Sequence, residues 1–93
     1  MVFGVVVFIT YKNETFVPKA IAAFEELIQS SNTKEPECLT YELHIDNENS
    51  KRIIVIERYV NKDALTETHQ KSAEFIAIMK FNDDNKEEVE KLE

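Results

Sequence analysis

Two histidines, one cysteine and one glycine bound what this 93-residue chain can do chemically. Histidine is the usual general base near neutral pH, and a cysteine thiolate is a strong nucleophile, so His44, His69 and Cys38 are weighed first. The histidines stand 25 residues apart with no cluster of further ligands beside either, so the spacing offers no metal site. A single glycine leaves no phosphate-cradling loop and no dinucleotide fingerprint, and no bound nucleotide, flavin or other cofactor is expected. Signatures of a serine nucleophile or a reactive cysteine are also missing.

Cys38 opens an extended stretch just after a loop, which suits packing better than a thiolate. His44 shares the polar side of that stretch with Glu42, where a solvated imidazole is expected. His69 differs, because in ALTETHQKSAEF it stands in helical register with Leu65 one turn before, Ser72 one turn after, and Ile76 and Met79 further along the same stripe. An imidazole on an apolar stripe is either a hydrogen-bonded core residue or a base facing a cavity. Elimination leaves His69 as the one residue to nominate as a base.

The elements that must position it follow from hydrophobic period. VFGVVVFITY at residues 2–11 is β-branched and aromatic and reads as a strand, with Gly4 permitting a bulge or close approach. Over residues 14–31 the period becomes helical through Phe16, Ala20, Ile21, Phe24, Leu27 and Ile28, with Pro18 in the first turn. SSNTKEPE reads as a loop stopped by Pro36, CLTYELHI as an alternating strand, DNENSKR as a hairpin turn and RIIVIERY as a third strand. Asn61 can cap a second helix carrying Ala64, Leu65, His69, Phe75, Ile76 and Met79. KEEVEKLE reads either as a polar fourth strand or as a helical tail.

The order is βαββαβ over one domain, residues 1–93. That predicts an α+β, ferredoxin-like sandwich: a four-stranded antiparallel sheet, two helices on one face, strands one and three central. Those two strands are apolar on both faces, whereas two helices cover only one. A second copy laid sheet against sheet is the economical cover, so a homodimer through the sheet faces, a dimeric α+β barrel, is expected. A chain of this size buries only roughly 60% of its unfolded surface, which adds to the need for a partner.

Eighteen acidic against eleven basic residues give a net charge of -7. Residues 82–93 contribute through Asp83, Asp84, Glu87, Glu88, Glu90 and Glu93 against Lys86 and Lys91, and such a surface makes nucleic acid and anionic membrane poor partners. VFGVVVFI is too short to span a bilayer and lacks the flanks of a signal sequence, and one cysteine makes no internal disulfide. The expectation is a cytoplasmic protein.

EPECLTYELHID, IVIERYVNKDAL and HQKSAEF together resemble the antibiotic-biosynthesis monooxygenase-like family, small dimeric ferredoxin-like proteins that include quinol and anthrone monooxygenases. The resemblance covers nearly the whole chain, with departures at Glu37, where the family often has glycine, at Tyr59, where it often has tryptophan, and in a less apolar last strand. It implies cofactor-free oxidation of a small electron-rich aromatic by O2, with His69 as the base and Tyr41, Tyr59, Phe75, Ile76, Met79 and Phe81 as the walls that hold a flat ring. In a haem-degrading branch of the same superfamily, the tryptophan and the iron-ligating histidine align with His69 and Met79 here, which argues against haem breakdown. A non-catalytic dimeric module that binds a small apolar ligand, or serves a stress response, is the alternative from another class.

Overall fold

The computed structural model describes residues 2–93. The first strand, β1 (Phe3–Tyr11), leads through a short 3-10 turn at Glu14–Phe16 into α1 (Val17–Lys34), followed by β2 (Cys38–Ile45) and β3 (Arg52–Tyr59). A π-helical turn (Ala64–Thr68) and a 3-10 turn (His69–Lys71) precede α2 (Ala73–Asp84), and β4 (Val89–Leu92) closes the chain. The strands form one antiparallel sheet in the order β2-β3-β1-β4, which is the ferredoxin-like arrangement with β1 and β3 central.

Register explains the division of the sheet into two faces. Phe3, Val5, Val7 and Ile9 of β1 lie opposite Tyr59, Glu57, Val55 and Ile53 of β3, and Tyr41 joins them from β2 opposite Glu57. These residues meet the helices: Ile9, Tyr41, Ile53, Val55 and Tyr59 share one buried core with Val17, Ala20, Phe24 and Leu27 of α1 and Ile78 of α2. The α1 positions recur at three and four residues, the spacing of one helical face. Val6, Phe8, Ile54 and Ile56 belong to the opposite face, where Val6 is 51% exposed and the others are half-buried.

Three local features depart from the sequence reading. Helix α1 runs on to Lys34, taking in Ser30 and Ser31, both buried, so the loop shrinks to the residues around Pro36. Proline disfavours helical geometry at the residue before it, and Glu35 accordingly leaves the helix at φ -114°, ψ 89°. Gly4 sits in an unbroken ladder opposite Arg58, and a Cβ there would meet only the Glu57 carbonyl at 3.9 Å, so no bulge or close approach requires it. The second helix is not continuous: Ser72 is extended (φ -70°, ψ 149°), and α2 starts afresh after it.

Residues 89–92 form the fourth strand. Its pairing is short, Ile9 with Leu92 and Thr10 with Lys91, then a register shift before Tyr11 and Val89.

Candidate active site around His69

The segment that carries His69 is built from three different turns. Asn61 Oδ1 accepts from the Ala64 amide at 2.9 Å and starts the segment, as its side chain suits. The π-helical turn then widens the chain, and the His69 amide reaches back to the carbonyls of both Ala64 and Leu65. After the 3-10 turn, Ser72 Oγ donates to the His69 carbonyl at 2.8 Å and accepts from the Phe75 amide at 3.1 Å. One hydroxyl therefore closes the turn under His69 and caps α2. Wide π turns of this kind recur at functional sites because they turn a side chain out of regular helical register.

The imidazole is fully buried. Its Nδ1 lies 3.0 Å from Glu35 Oε1 and 3.3 Å from Ser31 Oγ, and Ser31 Oγ donates to Glu35 Oε2 at 3.5 Å. Glu35 is itself only 7% exposed and stands at the C-terminal end of α1, where the helix dipole disfavours a negative charge. The imidazole offsets that cost. A carboxylate only accepts, so Nδ1–H points to Glu35, and in the neutral form of the ring the lone pair falls at Nε2. His69 Nε2 and Tyr11 Oη are the buried side-chain polar atoms without a hydrogen-bond partner among the described residues. An unmet acceptor of this kind costs about 1–3 kcal/mol.

Three rings surround the imidazole, with centroid separations of 5.1 Å to Tyr41, 5.5 Å to Tyr59 and 5.4 Å to Phe75. Beyond them, between the sheet and α2, lies a largely apolar cavity of about 360 Å³. Val5, Val7 and Val55 form its floor, Tyr41, Phe75 and Met79 part of its walls, and Leu65, Ile78 and Leu92 complete much of the rest. His69 is behind this wall rather than in it.

Of the six wall residues expected from the resemblance, Tyr41, Phe75 and Met79 line the cavity. Tyr59 is buried beside His69 and does not line it. Ile76 is 59% exposed, because the break at Ser72 resets the register and turns it outward. Phe81 stacks on Phe16 at 5.9 Å and does not line the cavity.

Glu57 is the residue that sequence reasoning passed over. It occupies the buried face of β3, is 8% exposed, lines the cavity and accepts a 2.6 Å hydrogen bond from the Tyr59 hydroxyl. Burial raises its carboxyl above the ordinary range, and the Tyr59 bond and nearby His69 oppose that rise. Burial, and then Glu57, push the Tyr59 and Tyr41 phenols up, so both remain protonated donors. Burial likewise pushes the Cys38 thiol to about 11, which removes it as a nucleophile at neutral pH. The signal for Glu57 was available: in RIIVIERY it falls two residues after Val55 and two before Tyr59, on the apolar side of the alternation.

His44 is exposed and pairs with Glu42 at 3.0 Å on the sheet's far edge. No three residues among the described His, Cys, Asp and Glu gather in a metal-binding arrangement. No described helix is long and apolar enough to cross a membrane.

Residues 2–80 match a protein family described as antibiotic biosynthesis monooxygenase. A conserved protein of unknown function from Bacteroides thetaiotaomicron, described as a possible oxidoreductase, is 30% identical; the match covers 99% of this chain and 93% of that one, with a TM-score of 0.81. A Pseudomonas aeruginosa protein shares the fold at 24% identity and a TM-score of 0.77, over 97% of this chain and 85% of that one. A solved antibiotic biosynthesis monooxygenase also shares it, at 18% identity and a TM-score of 0.75, over 100% of this chain and 94% of the other. No curated protein matches the chain.

Proposed function

The chain belongs to the antibiotic biosynthesis monooxygenase family, and from that premise we propose that it is a cofactor-independent monooxygenase of a small electron-rich aromatic of the quinol or anthrone type. The supporting observation is His69, whose Nδ1 is held by Glu35 and Ser31 while Nε2 stays unpartnered behind the rings of the cavity wall. The ring lined up behind Tyr41 and Phe75 is a base without a proton to take until a substrate hydroxyl arrives.

In this reading the substrate lies flat between the sheet and α2. The Phe75 ring turns aside, Nε2 removes the phenolic or anthrone proton, and the imidazolium that forms is stabilised by Glu35 through Nδ1. The resulting anion passes one electron to O2, and superoxide and the substrate radical combine in a C–O bond. The imidazolium returns its proton to the peroxide, and loss of the C–H proton from the same carbon as the O–O bond breaks leaves one oxygen as a carbonyl and releases the other as water, so the four-electron oxidation of the substrate matches the four-electron reduction of O2. The apolar wall keeps water from quenching the radical pair.

The working unit in this proposal is a homodimer in the cytoplasm, joined through the face bearing Val6, Phe8, Ile54 and Ile56, whose apolar exposure supports it. Oxygen uptake with a panel of hydroquinones and anthrones tests the activity. His69→Ala is expected to lower the rate by about 10²–10⁴-fold, the usual contribution of a general base, while solution mass stays unchanged. Equal rates would remove His69 from the chemistry. The position of His69 behind the wall favours a second reading, a ligand-binding module, and ligand-induced stabilisation with no oxygen uptake across the panel would establish that instead.

A further inference from the structure

Glu57 is the single carboxyl lining the cavity, and the lining holds no lysine, arginine or histidine among the described residues. Its polar companions there are Tyr41, Gln70 and Asn82, all uncharged at neutral pH, against Val5, Val7, Val55, Phe75 and other apolar neighbours. Tyr59 satisfies Oε1 alone, at 2.6 Å, so the fold supplies this carboxyl with one donor where a carboxylate has room for several. A valine or leucine would suit the helix-facing side of β3 better, as Val55 and Ile53 do two and four residues earlier. The cost of the buried acid is thus only partly offset within the fold, and Glu57 lines the cavity with acceptor capacity to spare.

We propose that Glu57 is the specificity-determining residue of this cavity, accepting a hydrogen bond from a hydroxyl on a flat, uncharged aromatic and repelling aromatic carboxylates. This rests on the reading above only in taking the cavity as the ligand site. A volume of about 360 Å³ is at the small end for ligand pockets and suits one or two rings. In its ionised form Glu57 accepts a hydroxyl in a charge-assisted bond, roughly twice as strong as a neutral one, and the same charge opposes a carboxylate brought into a low-dielectric wall. The chain's net charge of -7 acts in the same sense at longer range.

Three probes on one ring test it by calorimetric titration under anaerobic conditions: methylhydroquinone, its dimethyl ether, and 2,5-dihydroxybenzoate. The parent protein is expected to bind methylhydroquinone at least about tenfold more tightly than either of the others, a difference of about 1.4 kcal/mol. Glu57→Gln keeps the size and an acceptor for Tyr59, and is expected to close the gap to the benzoate to within about threefold. Equal affinity of the parent for hydroquinone and benzoate, no binding of any probe, or an unaltered ratio in folded Glu57→Gln would overturn the proposal. The parent comparison decides alone if the variant does not fold. Because oxygen is excluded, a protein that discriminates among the probes yet oxidises none supports this assignment and fails the monooxygenase reading.

Discussion

Ionising Glu57 works against the fold that holds it, and this gives stability a measurable pH dependence. Burial raises the folded-state pKa of its carboxyl above the unfolded value, so folding favours the protonated form. That contribution is fully present below the unfolded carboxyl range and is lost as pH rises through the folded value, above which the charged group is a cost. Glu57→Gln does not titrate, so its stability relative to the parent is expected to rise between about pH 4 and about pH 8. Urea unfolding at the two pH values measures it; a difference that does not change with pH would show that this carboxyl is not perturbed. The partners of His69 were hidden in sequence for a related reason. Ser31 and Glu35 lie in SSNTKEPE, where Ser30, Ser31, Asn32 and Thr33 are weak helix formers, yet the helix runs through them to Lys34, with Asn32 bonded to the Tyr41 carbonyl of β2 and Ser31 beside His69.

At the scale of elements, the break at Ser72 matters more than the helices beside it. Had the second helix run unbroken, Ile76 would share a stripe with His69; the extended serine turns Ile76 outward and leaves Phe75 against the imidazole. The signal was legible in hindsight of the capping rules: serine before AEF, with Glu74 in the first turn, marks a helix start. Removing the hydroxyl deletes both the cap and its bond to the His69 carbonyl. Ser72→Ala is expected to lose about 1–2 kcal/mol in chemical denaturation, with the cap's share of it restored in Ser72→Asp, which accepts from the Phe75 amide but cannot donate to the His69 carbonyl. An equal loss in both variants would place the effect in the bond to the His69 carbonyl and not in the cap. The strand order, by contrast, was readable, because VVVFI and IIVI are apolar at every position and only central strands have two faces to cover.

For the whole molecule, the isolated chain leaves Val6 half in water on a face that also carries Phe8, Ile54 and Ile56. Val6 contributes little to the core of its own chain, so for the proposed homodimer Val6→Lys is expected to leave the monomer folded and to halve the solution mass, measured by light scattering with circular dichroism as the control for folding. A monomeric parent, or an unchanged mass in the variant, would count against a dimer through this face.

The same strand carries a further consequence. Val5 and Val7 line the cavity, while Val6 between them faces the other way. Adjacent residues in β1 thus belong to separate surfaces, one set to the cavity and the other to the open face of the sheet. A substitution in one set leaves the other set's side chains on their own face. A one-residue insertion or deletion does not, since it exchanges the two sets at a stroke.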